Sequence, residues 1–194
     1  MQSKPLIEID TRVLKEDYCN YDLIARSWND EYRGRVWKNK ERIADFEGTD
    51  LDEIMIELRV IVDELQAEKR RERGKRTPTP AEIAAAVASF EPKLSRPQKM
   101  MLAIHGKAPG QRVMMRAMTR VGDYASAELA FADYVQVARR LSDELAYAPG
   151  SRRKDVYPGT AVLFTDEITQ DAVIADTILT LRPEVARAME ILKW

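Results

Sequence analysis

Gln111-Arg112-Val113-Met114-Met115-Arg116-Ala117-Met118-Thr119-Arg120-Val121-Gly122-Asp123-Tyr124 carries a basic and an apolar repeat in one short run. Arg112, Arg116 and Arg120 recur every four residues, and Met114, Met118 and Val121 fall on the opposite side of a 3.6-residue period. That spacing predicts a short helix over 111–121, basic on one face and apolar on the other. Gly122 takes the position of a C-terminal cap. The turn Val121-Gly122-Asp123-Tyr124 is short enough to join two helices at a steep angle. A longer helix is expected from Ala125 to Ala146, with Leu129, Ala132, Val135 (or Tyr134), Ala138, Leu141 and Leu145 on its apolar side.

Two helix starts precede this pair. Thr79-Pro80-Ala81-Glu82 and Ser95-Arg96-Pro97-Gln98 each combine a capping hydroxyl, a proline in the first turn and Glu or Gln three residues on. Downstream, Ala161-Val162-Leu163-Phe164 reads as a strand. Ile174 with Ile178 to Leu181 reads as a second, and Pro183 opens a final helix. From residue 95 the order is helix, short helix, tight turn, long helix, strand, strand, which is that of a winged helix-turn-helix. Arg152-Arg153-Lys154 falls in the expected wing.

The first third of the chain reads as helical. Tyr21, Ile24, Trp28 and Tyr32 stand three and four apart and predict a helix over 18–32. A second is expected over 34–46, ended by Gly48. Trp28, Tyr32 and Trp37 are expected to form a small core, with an aromatic platform for stacking bases as the alternative. Leu6 to Ile9 reads as a short strand or extended arm. Asp50 to Arg73 is the clearest helix. Leu51, Ile54, Leu58, Ile61 and Leu65 form a heptad seam along it, and the seam is read either as packing within its own domain or as a homodimer contact. The expected class is therefore mainly α: a helical N-terminal region and an α+β winged helix-turn-helix-like C-terminal domain. The expected domains are an acidic helical one over 1–73, with the dimerisation helix at 50–73, a basic linker over 74–79, and the winged-helix-like domain over 80–194.

Charge carries the functional argument. The 194 residues have a formal net charge of −1, and the distribution is uneven. Residues 1–68 are net −7, residues 69–120 net +10 and residues 121–194 net −4, and no Asp or Glu occurs from Pro92 to Gly122. A local field of one sign attracts an anionic partner, or it pairs with the acidic ends of its own chain. The candidate phosphate contacts are Lys69, Arg70, Arg71, Arg73, Lys75 and Arg76 in the linker region, Lys99, Arg112, Arg116 and Arg120 in the acid-free stretch, and Arg152, Arg153 and Lys154 in the wing. The long helix begins with Glu128 and Asp133 and lacks Arg, Lys, Asn or Gln in its first turns, so phosphate contact rather than base reading is expected of this region.

Residues ~80–194 resemble a bacterial module of poorly defined function found in phage, mobile-element and HNH-nuclease-associated proteins. The matching pieces are Gln98 to Leu102, Ala108-Pro109-Gly110, Arg120-Val121-Gly122-Asp123-Tyr124, Arg139-Arg140-Leu141-Ser142-Asp143-Glu144-Leu145, and Leu181-Arg182-Pro183-Glu184-Val185-Ala186-Arg187-Ala188-Met189 through Trp194. The resemblance implies a winged-helix-like fold and DNA binding, and supplies no catalytic residues.

A single Cys and a single His exclude a disulfide framework and a zinc site built from several Cys and His of one chain. No Walker loop or dinucleotide loop is present. Cys19 reads as an inert thiol, His105 as a capping or surface residue. No cofactor and no metal are expected. No apolar run reaches the ~18 residues of a membrane span, and no secretory signal is visible at the N-terminus. The expectation is a cytoplasmic, non-enzymatic protein that binds nucleic acid, with double-stranded DNA as the favoured form, as a transcriptional regulator of bacterial, phage or mobile-element origin. The alternative is a protein-interaction or assembly factor that engages a partner protein through its acidic N-terminal half.

Overall fold

The computed structural model describes residues 10–28, 31–150, 157, 159–169 and 172–194. The chain divides into two compact units, Met1–Arg71 and Glu72–Trp194.

The first unit overturns the helical expectation. It is a four-stranded antiparallel meander, β1 (Val13–Tyr18), β2 (Tyr21–Trp28), β3 (Glu31–Lys38) and β4 (Glu41–Gly48), followed by helix α1 (Leu51–Arg73), whose last two residues belong to the second unit. The chain is therefore α+β, with a sheet where helices over 18–32 and 34–46 were expected. The reason is a period of two. Tyr21, Leu23 and Ala25 are buried, while Asp22, Ile24 and Arg26 between them point to the other face. Both faces carry large apolar residues, so Tyr21, Ile24, Trp28 and Tyr32 simulate a helical spacing although they divide between the two faces.

Turn chemistry fixes the hairpins. Cys19 and Asn20 have φ of 50° and 64°, and Asn39 and Lys40 have 50° and 70°. Two successive residues at positive φ make the two-residue turn whose twist matches that of the flanking strands, and asparagine tolerates it better than most side chains.

Helix α1 covers one face of the sheet. Asp50 caps it, its carboxylate accepting from the amides of Asp52 (2.7 Å) and Glu53 (3.0 Å). Leu51, Ile54, Met55, Leu58 and Val62 form the core with Tyr21, Leu23, Ala25 and Val36, and Ile61 and Leu65 pack at its margin. The heptad seam is thus taken up, at Leu51, Ile54 and Leu58, by the chain's own sheet. At Gly34 the helix passes so close that a Cβ would collide with the Ile54 side chain.

The second unit holds α2 (Pro80–Phe90), α3 (Arg96–Lys107), β5 (Arg112–Met114), α4 (Met115–Val121), α5 (Ala127–Leu145), β6 (Ile178–Thr180) and α6 (Pro183–Ile191). Thr79 and Ser95 each close a capping box, with Glu82 and Gln98 respectively. The helix expected over 111–121 begins four residues late. Gln111 has φ 54°, which breaks helical continuity, and Arg112, Val113 and Met114 alternate exposed and half-buried as a strand. That strand pairs antiparallel with β6, Val113 opposite Leu179. Residues 160–162 form a 3-10 turn instead of the expected strand, and only Phe164 bridges Leu181. Residues 174–176 form another 3-10 turn ahead of β6.

Candidate nucleic-acid interface

The face of the sheet that α1 leaves open is built in rows, because antiparallel register sets side chains directly opposite one another. One row runs Val13, Arg26, Arg33, Glu47 across the four strands. The next runs Lys15, Ile24, Arg35, Asp45. A third runs Asp17, Asp22, Trp37, Arg42, beyond an irregularity in the β3–β4 register, and Trp28 stands opposite Glu31 at the other end. Val13, Lys15, Ile24, Arg26, Trp28, Arg33, Arg35 and Trp37 line a concavity of about 360 Å³. Four cations thus occupy the middle of the face. The acids Asp17, Asp22, Glu31, Asp45 and Glu47 stand at its ends and along β4.

Arg26 and Arg33 oppose each other directly across β2 and β3. Like charges in such a pair cost stability, and the local contacts show how the cost is offset. The Arg26 guanidinium lies over the Trp28 ring, 4.7 Å from its centroid. Arg33 Nη2 donates to Glu31 (2.9 Å) and lies 3.3 Å from Glu47, and these carboxylates raise its pKa further. Arg33 Nε is buried and has no hydrogen-bond partner among the described residues. Arg35 Nε donates to Asp45 (3.2 Å). Trp28 is 46% exposed and Trp37 half-buried on this same face, so the small aromatic core expected from Trp28, Tyr32 and Trp37 does not form. Only Tyr32, on the other face, packs against the core of the unit. The alternation Ile24-x-Arg26-x-Trp28 and Arg33-x-Arg35-x-Trp37 is the signal that would have found this face.

The cations singled out from sequence have different environments. Lys69 donates to the Tyr21 hydroxyl (2.9 Å). Arg73 donates to the Leu145 carbonyl and lies 3.7 Å from Glu82. Arg76 grips Glu82 through both terminal nitrogens (3.0 and 2.7 Å), which holds that carboxylate at a pKa of about 2. Lys99 donates to Glu91 (2.9 Å) and Arg116 to Asp176 (2.6 Å). Part of the basic middle is therefore neutralised within its own unit. Arg70, Arg71, Lys75, Arg112 and Arg120 are exposed. Arg112 lies on β5 while Arg116 and Arg120 lie on α4, so the three do not form one helical stripe. Arg152, Arg153 and Lys154 lie outside the described residues, as do Leu6 to Ile9.

His105 is not at the surface. It is fully buried; its Nδ1 is 2.8 Å from the Tyr134 hydroxyl, and its Nε2 is 3.0 Å from the carbonyls of both Gln111 and Leu179. Two carbonyls at Nε2 can only accept, so the proton sits on Nε2 and Nδ1 accepts from Tyr134. Burial pushes the imidazole pKa down to about 4. The ring ties α3 to α5 and to the two-stranded sheet, a structural duty that leaves it no lone pair for proton transfer. Asp133, counted among the acids of the expected reader helix, accepts from the Tyr124 hydroxyl and fixes the turn before α5.

Among the described residues no three His, Cys, Asp or Glu side chains converge as a metal site, and no helix is long and apolar enough to cross a membrane. No family model, curated protein or solved structure matches the chain.

Proposed function

We propose that this chain is a non-enzymatic nucleic-acid-binding protein that grips phosphates through cations placed on a rigid scaffold. The observation that carries the reading is the opposition of Arg26 and Arg33 in the middle of the open sheet face, with Lys15 and Arg35 in the adjoining row. The pair is kept together by Trp28, Glu31 and Glu47, and a phosphate would add a counter-charge shared by the two guanidinium groups. The exposed cations Arg112 and Arg120 of the second unit support the same reading.

The test is fluorescence anisotropy of the full chain with a labelled random oligonucleotide at several salt concentrations. The reading expects affinity to fall linearly with salt on logarithmic axes, as counterions are released from phosphates. Absence of binding even at low salt would overturn it, and would favour a protein partner for the acidic N-terminal half.

A further inference from the structure

We propose that the open face of the N-terminal sheet is a site for single-stranded nucleic acid, whose bases stack on Trp28 and Trp37 while its phosphates meet Arg26, Arg33, Arg35 and Lys15. The inference rests on the nucleic-acid reading and specifies the substrate class and the surface.

Three features favour a single strand over a duplex. The first is the placing of the tryptophans. Trp28 lies opposite Glu31 and Trp37 opposite Asp22 on β2, so six residues separate their positions along the strands, a span of ~20 Å at ~3.3 Å per residue. Both project from an open sheet face rather than from a helix that could enter a groove. An indole on such a platform offers its ring to a base, and only an unpaired, unstacked base can present its own ring in return.

The second feature is the order of the groups. Between the two indoles lie Arg26 and Ile24 on β2 and Arg33 and Arg35 on β3, with Lys15 beside Ile24 on β1. A chain laid along the strands therefore meets an aromatic, then cations, then an aromatic, the alternation that a phosphodiester chain with splayed bases requires. The Arg26 guanidinium already lies over one face of the Trp28 ring, which fixes the indole and places a cation beside it.

The third feature is the ring of acids. Asp45 and Glu47 on β4 hold Arg35 and Arg33 at fixed positions, which lowers the ordering entropy lost on binding. Together with Asp17, Asp22 and Glu31 they also bound the cationic area, so the wide, doubly charged surface of a duplex would meet carboxylates at its margins. The buried Nε–H of Arg33, without a partner among the described residues, is a donor still to be satisfied inside this face.

The experiment compares a labelled 15-nucleotide single strand with the duplex of the same sequence, by anisotropy on the full chain. The proposal expects the single strand to bind more tightly. Trp28→Ala is expected to weaken single-strand binding at least fivefold, and Trp28→Phe to restore most of it, because stacking on one base contributes about 1–3 kcal/mol. Trp28 is half exposed, and circular dichroism checks that each variant keeps its sheet. Arg26→Gln is expected to reduce the salt slope by about 0.7, one single-strand phosphate. Equal or tighter duplex binding, or single-strand binding unmoved by Trp28→Ala, would overturn this inference and leave the nucleic-acid reading standing. Failure of both oligonucleotides to bind at low salt would overturn both.

Discussion

Lowering the pH from 7 to 5 is expected to destabilise the second unit by about 2 kcal/mol, through one imidazole. His105 is the chain's single histidine and is fully buried, with its pKa down at about 4 against an ordinary value of 6.5. Protonation in place would put a second hydrogen on a ring whose Nδ1 accepts from Tyr134, and would leave a cation in an apolar core. Between pH 6.5 and 4 the unfolded chain therefore binds a proton that the folded chain refuses. Stability is full above pH 6.5, falls as the pH drops through that window, and levels off below 4. The complete shift corresponds to about 3 kcal/mol, of which about 2 kcal/mol is lost by pH 5. Glu82, held at about 2 by Arg76, loses its own contribution as its unfolded form protonates around its ordinary value of 4.5, so it adds little between pH 7 and 5 and more below that. Urea unfolding at pH 7 and pH 5 measures the loss, and His105→Asn should abolish the pH dependence while lowering stability at pH 7. The imidazole resonance, unique in the chain, gives the titration directly by NMR. A midpoint near 6.5 would show that the ring reaches water and would refute the reasoning.

Other expectations follow from packing. Gly34→Ala should destabilise the first unit by about 1–3 kcal/mol in urea unfolding, because the new Cβ meets the fully buried Ile54 side chain; an unchanged midpoint would contradict the close approach of α1 to β3. Leu58→Asp should unfold the first unit, seen as loss of sheet by circular dichroism, since it places a charge in a fully buried site; a folded monomer would instead support a seam between two chains. Gln66→Leu should raise stability by about 1 kcal/mol, because both amide atoms of Gln66 are buried without a hydrogen-bond partner among the described residues; a loss of stability would reveal a partner for that amide.

Legibility in the sequence followed the strength of the local signal. Thr79 with Glu82 and Ser95 with Gln98 announced two helices because a capping box is read residue by residue, and the structure shows both boxes closed. The spacing of Leu51, Ile54, Leu58, Ile61 and Leu65 announced α1. The sheet was missed because its decisive signals were weak one at a time. Cys19-Asn20 and Asn39-Lys40 are two-residue turns without glycine, so the usual marker of a tight hairpin was absent. Aromatic residues on both faces blurred the alternation that Leu23, Ala25 and Val36 would otherwise display. A spacing of four puts Arg112 on a helix only where the backbone stays helical, and Gln111 at positive φ ends that condition. His105 could not be read as a core residue, because its partners Tyr134, Gln111 and Leu179 come together only through the tertiary fold. The sheet-face site was not legible: the charge map pointed to residues 69–120 and read residues 1–68 as acidic, whereas Lys15, Arg26, Arg33 and Arg35 come together across three strands only through register.

An amide-resolved NMR titration of the labelled chain with a short single-stranded oligonucleotide at low salt shows which residues meet the ligand. The account predicts chemical-shift changes concentrated in β1, β2 and β3, strongest around Arg26, Trp28, Arg33 and Arg35, and reversed by added salt. A spectrum that stays unchanged, or changes confined to the helices of the second unit, would contradict it.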